Sequence, residues 1–143
     1  MSQSLLSRAI AFLARREYSA AELRRKLAPH AESPDELDAL FEVLKERGFL
    51  SEARFAESII ERQSARKGAS WIRHHLKQHQ IAPELIESAS GDLEASEEAR
   101  ARALWERRFG TVSQDPKERL RQMRFLASRG FSHDVIRRIT RQA

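Results

Sequence analysis

The amino-acid sequence predicts an all-α protein made of tandem three-helix repeats, three units set in an elongated, curved array. Three observations predict it. The composition favours helices: 33% of the 143 residues are charged, while glycine and proline number only 5 and 4. No stretch alternates apolar and polar residues as a half-buried strand does. A single helix-ending device also recurs along the chain. If Gly48 takes the left-handed conformation, Leu44 and Phe49 fall at the two positions that touch in a Schellman motif. The arrangement returns around Gly130, from Leu126 to Phe131, and again from Leu76 to Ile81, where Gln80 stands in place of the glycine.

The elements follow in order. Residues 5–16 set Leu5, Leu6, Ala9, Ile10 and Leu13 on one helical face. Ser19 and Glu22 form a capping box, in which the hydroxyl accepts a free backbone N–H and the carboxylate reaches back. The short helix behind it turns Leu23 and Leu27 inward and ends at Pro29. Ser33, Pro34 and two early acids open a third helix, with Leu37, Leu40, Phe41 and Leu44 as its stripe and Gly48 as its stop. Ser51 opens the next, with Phe55, Ala56, Ile59 and Ile60 inward, and Gly68 closes it. Trp71, Ile72 and Leu76 form a compact apolar face, and Pro83 starts a helix carrying Leu85 and Ile86. Residues 88–91 read as its end and a hinge. A long helix from about Leu93 carries Ala101, Leu104, Trp105 and Phe109. Asp115 and Pro116 cap another, whose Leu120, Met123 and Leu126 face inward. Ser132 caps the last, with Val135, Ile136 and Ile139 apolar.

Spacing supports a repeat. Leu76 to Ile81 covers as many steps as Leu126 to Phe131, and Leu85-Ile86 and Val135-Ile136 follow at equal offsets. The first unit carries an insertion around residues 30–35. Units of residues 1–48, 49–91 and 92–143 are expected, each shielding its neighbour's apolar edge, because one three-helix core alone barely offsets chain entropy.

Composition also excludes classes of function. There is no cysteine, so there is neither disulfide nor thiolate chemistry. No apolar run approaches the roughly 20 residues of a membrane helix, and residues 1–4 lack the features of a secretory signal. A cytoplasmic location is expected. No glycine-rich phosphate loop or nucleophile elbow appears, so neither an enzyme nor a cofactor is expected. His75 and His79 stand four apart, a spacing that suits two metal ligands. No third ligand is evident, and exposed helical histidines are the better reading, so no metal is expected. Glu97 and Glu98 read as acids early in a helix. Trp71 and Trp105 sit beside stripe positions and read as core rather than as platforms for bases. Phe125, off the Leu120–Met123–Leu126 face, is expected to pack against an adjacent unit.

Charge is uneven. Residues 1–48 hold eight basic and eight acidic side chains, residues 49–91 six and five, and residues 92–143 twelve and eight. A basic last third points to an acidic partner, nucleic acid or protein. The candidate binding residues fall on second and third helices of successive units: Arg24, Arg25 and Lys26; Arg66, Lys67, Arg73 and Lys77; and Arg121, Arg124, Arg137, Arg138 and Arg141. In a curved array they would line one face.

Three segments carry a resemblance. Ala9-x3-Leu13-Ala14-Arg15-Arg16-Glu17-Tyr18-Ser19-x2-Glu22-Leu23-x3-Leu27 resembles the opening of the RecX family. Gly48-Phe49-Leu50-Ser51-Glu52-x-Arg54-Phe55-Ala56, followed by Gly68-x3-Ile72-x3-Leu76, resembles its central signature. Arg124-Phe125-Leu126-x2-Arg129-Gly130-Phe131-Ser132-x2-Val135-Ile136 resembles its C-terminal one. Ser51-Glu52 and Gln80-Ile81 depart from the aspartates and the Gly-Ile usual there. The resemblance implies a non-catalytic regulator of the RecA recombinase. Such a protein binds RecA filaments on single-stranded DNA and limits their growth, ATP hydrolysis, strand exchange and coprotease activity. It also implies RecA as the partner, DNA contacted weakly or through RecA, and a monomer away from membranes. The competing expectation is an autonomous DNA-binding protein that uses a short arginine-bearing helix as a helix-turn-helix does.

Overall fold

Serine hydroxyls begin most of the helices. In the computed structural model, which describes residues 3–141, Ser4, Ser19, Ser33, Ser51 and Ser132 each accept the backbone N–H three residues on. The first two residues of the segment read above for a signal therefore lie outside the described residues. The helices are α1 (Leu5–Arg15), α2 (Ala20–Leu27), α3 (Pro34–Glu46), α4 (Glu52–Gln63), α5 (Ala69–Gln78), α6 (Pro83–Ala89), α7 (Gly91–Arg108), α8 (Pro116–Ser128) and α9 (His133–Thr140). A 3₁₀ turn at Ala28–His30 follows α2 and carries the chain past Pro29. There is no strand among the described residues.

Apolar stripes gather the helices in threes. Leu23, Leu27, Phe41 and Leu44 centre the core of α1–α3; Phe55, Ile72 and Leu76 that of α4–α6; Trp105, Leu126 and Ile136 that of α7–α9. The fold is tandem three-helix. Leu50 packs into the first core and Leu93 into the second, so the first two cores each extend a few residues into the chain that follows their third helix.

The recurring turn is a Schellman motif in all three places. Phe49 N–H donates to Leu44 O at 2.9 Å and Gly48 N–H to Lys45 O at 3.1 Å, with Gly48 at φ +76°. The same pair of bonds closes α8 around Gly130 (φ +87°) and α5 around Gln80 (φ +60°). Gln80 thus holds the left-handed conformation that glycine takes elsewhere.

Several expectations are corrected. Helix α4 ends at Gln63, and Gly68 instead precedes α5 as its N-cap. Residues 88–91 form no hinge: α6 passes into α7 at a single-residue corner, Ser90, which is wholly buried and donates its hydroxyl to Ile86 O. Leu120 is 44% exposed, because α8 buries Gln122 and Leu126 and leaves position 120 at the edge. Phe125 packs within its own triplet, edge-on to Phe109 at 5.5 Å.

Candidate functional site

Two joints set where the basic side chains stand, and both use one device. A helix N-terminus carries unpaired N–H groups and positive potential. At the first joint the Glu52 carboxylate of α4 accepts the Ala20 N–H at the start of α2, at 2.7 Å. At the second, the Glu97 carboxylate of α7 accepts the Ala69 N–H at the start of α5, at 2.8 Å. The second and third triplets therefore each cap the second helix of the triplet before them. Glu97 is only 6% exposed.

Arginines tie each joint further. Arg54 donates to the Glu17 carboxylate at 3.0 Å, to Gly48 O at 2.7 Å and to Phe49 O at 3.2 Å. Arg100 donates to Ser64 O, Lys67 O and Leu93 O, each at 2.7 Å. Ser19 Oγ lies 3.4 Å from His79 Nδ1 at the first joint, and Gly68 N–H donates to Arg129 O at 2.8 Å at the second. Backbones touch there: a Cβ on Gly68 would stand 2.2 Å from Gly130 O, and one on Gly130 would stand 2.5 Å from Trp71 Cβ.

Sequence reading missed Glu52, Glu97, Arg54 and Arg100 as joint residues. For Glu97 a signal exists: Leu93, Glu97, Ala101 and Trp105 recur every four residues, which places a carboxylate on an apolar stripe. Trp105 is core, 5% exposed, with its indole N–H on Gln122 Oε1 at 3.0 Å. Trp71 is half-buried at the second joint, against Gly130.

The expected binding residues divide by what they touch. Arg24 pairs with Asp38 at 2.8 Å over the Phe41 ring. Arg73 pairs with Glu94 at 2.6 Å and reaches Ser90 at 3.3 Å. Arg138 pairs with Glu98 at 2.9 Å, Arg137 with Asp134, and Arg121 more loosely with Glu118 at 3.8 Å. Lys67 rests over Trp71, 4.6 Å from the ring centroid, and Lys26 lies 5.9 Å from that of Phe12. Arg25, Arg66, Lys77, Arg124 and Arg141 are exposed and carry no ion pair among the described residues. The fold brings Arg137, Arg138 and Arg141 to one cleft with Arg119 and Asp134, and Arg73 and Lys77 to another with His74. Arg66 meets Arg107, Arg108 and Arg129 in a third, which sequence reading did not anticipate.

The histidines form an aromatic ladder along α5. Trp71 stacks on His75 at 4.9 Å, His75 meets His79 edge-on at 4.9 Å, and His79 lies 5.0 Å from Phe55. Burial, then the neighbouring charges of His79 and Arg62, hold His75 below the usual histidine value. At the first joint, burial pushes Glu22 upward. The hydrogen bond from Arg16, its charge and the Ser19 backbone outweigh that and leave the carboxyl below its ordinary value. Among the described residues no three His, Cys, Asp or Glu side chains group to hold a metal ion, and no helix there is long and apolar enough to cross a membrane.

Known proteins share the tandem three-helix fold. Residues 51–89 match the family model for the second three-helix domain of RecX, and residues 96–140 that for the third. The chain is 49% identical over 140 residues to the Regulatory protein RecX of Ralstonia nicotianae, covering 98% of this chain and 88% of that one. It is 48% identical to the Regulatory protein RecX of Leptothrix cholodnii, covering 98% and 89%. The crystal structure of RecX from Lactobacillus salivarius superposes with a TM-score of 0.80 at 20% identity, covering 94% of this chain and 91% of that chain.

Proposed function

Because the chain belongs to the RecX family of regulatory proteins, we propose that it regulates the RecA recombinase by occupying RecA filaments on single-stranded DNA. It limits filament growth and with it ATP hydrolysis, strand exchange and coprotease activity. The carrying observation is similarity along nearly the whole chain to proteins named as RecX. Residues 1–48, 49–91 and 92–143 are the modules in this reading, working as a cytoplasmic monomer without a cofactor. Arg25, Lys26, Arg66, Lys67, Lys77, Arg124 and Arg141 make the first contacts with the filament's acidic surface or DNA phosphates, because no carboxylate among the described residues pairs with them. Arg24, Arg73, Arg121, Arg137 and Arg138 join by exchanging a carboxylate partner for one on the filament. Exposed pairs of this kind are worth only about 0–1 kcal/mol, so the exchange costs little.

Co-sedimentation with RecA tests the reading. The chain is expected to pellet with RecA filaments on single-stranded DNA and to stay in the supernatant when RecA and DNA are omitted. Failure to pellet with filaments would refute it.

A further inference from the structure

Four arginines that the sequence pattern does not place together meet in one cleft. Arg107 and Arg108 close α7, Arg129 caps α8, and Arg66 lies in the loop between α4 and α5. With Leu104 and Phe125 they line a cleft at the second joint, and no carboxylate of the described residues lines it. None of the four guanidinium groups has a hydrogen-bond or ion-pair partner among the described residues.

Like charges gathered in this way repel one another. Helices α4, α7 and α8 all end here, and their negative ends offset part of the repulsion. Capping does not account for the cluster, because none of the four guanidiniums donates to a carbonyl among the described residues, and several helix-end carbonyls are already occupied. Arg100 takes Ser64 O and Lys67 O. Turn N–H groups take Trp105 O, Leu126 O and Ala127 O.

Phe125 organises the charges. The Cζ atoms of Arg108 and Arg129 lie 4.6 and 4.8 Å from its ring centroid. A cation–π contact engages the face of a guanidinium and leaves the N–H donors in its plane for an acceptor.

We infer that this cleft binds the phosphate backbone of a single nucleic-acid strand. Guanidinium forks match phosphate oxygens two at a time, and bases stack on arginine planes and aromatic rings. A flexible strand carries a charge at every nucleotide and bends to reach guanidiniums held on three elements. A folded acidic surface would have to present its carboxylates in a fixed, matching layout. The site lies outside the twelve residues that sequence reading singled out, except for Arg66. It binds a strand with no RecA present, so it stands or falls separately from the regulatory reading.

The test is fluorescence anisotropy with a labelled oligothymidine across a salt series, melting each variant in parallel. Wild-type protein binds, with affinity falling as salt rises. Arg107→Ala/Arg108→Ala weakens binding by about tenfold or more and reduces the log–log salt slope by about 1.4, the value for two phosphate contacts on a single strand. Arg107→Lys/Arg108→Lys keeps the slope, because charge is retained, and loses affinity, because the forks are gone. If the alanine pair melts lower, the lysine pair decides. The proposal is overturned if neither pair changes binding, or if Arg15→Ala/Lys45→Ala, exposed and outside the cleft, weakens it equally. It is also overturned if oligothymidine fails to bind while polyaspartate perturbs the cleft's NMR signals, which would assign the cleft to an acidic protein.

Discussion

Left-handed residues set the cost of each turn. Gln80 holds φ +60° with a side chain that disfavours it, at about 1–2 kcal/mol, and glycine gives back about 0.5–1 kcal/mol in chain entropy. Gln80→Gly is therefore expected to stabilise the protein by about 0.5–1 kcal/mol in urea denaturation; a loss would contradict the turn assignment. Gly48 and Gly130 separate strain from crowding. A Cβ at Gly48 meets nothing within 4 Å, whereas one at Gly130 collides with Trp71. Gly48→Ala should cost about 1–2 kcal/mol, from backbone strain alone. Gly130→Ala should cost clearly more, because the second joint has to open; equal costs would refute the close approach. These turns were legible in the sequence, since left-handed geometry selects glycine and the apolar residues on either side repeat. The role of Gly68 was not, because a close contact between backbones leaves no pattern beyond the glycine itself.

At the scale of elements, the shared caps carry the coupling between triplets. Glu97→Ala strands the buried Ala69 N–H and is expected to cost about 1–3 kcal/mol in urea denaturation. Glu97→Gln keeps a carbonyl acceptor and should cost less; the reverse order would contradict the capping role. Helix α5 adds a pH dependence. Burial, His79, Arg62 and His74 lower His75, and Glu22 partly opposes them. The unfolded chain then binds the proton more readily than the folded one. The His75 contribution is therefore fully present above about pH 6.5, the ordinary histidine value, and is lost as pH falls through the lower folded value. Thermal melting from pH 7.5 to 5.5 should show Tm falling on acidification, with a shallower fall in His75→Gln. Matching slopes would refute the assignment. The helices themselves were legible because serine caps, prolines and apolar stripes agree with one another. The faces of α8 were less so: an apolar count put Leu120 inside, but Gln122, bonded to Trp105 and Thr111 O, takes the buried position. A polar residue satisfied by neighbours on other elements gives no such signal in the sequence.

On the scale of the whole molecule, the basic residues acquire meaning from the joints. Periodicity placed each of them on a helix, but which ones share a cleft depends on how the triplets lean on one another. Glu52, Arg54, Glu97, Arg100 and the Gly68–Gly130 contact hold that orientation. That is why Arg66 joins Arg107, Arg108 and Arg129 although the sequence separates them by some forty to sixty positions. Family resemblance was legible from three segments in order, and the near full-length relatives bear it out. Filament occupancy by a joint-held basic surface can be read by following RecA's ATPase on single-stranded DNA while this protein is added below stoichiometry. Progressive inhibition with shortened filaments is expected; an unchanged rate with unchanged filament length would rule filament occupancy out.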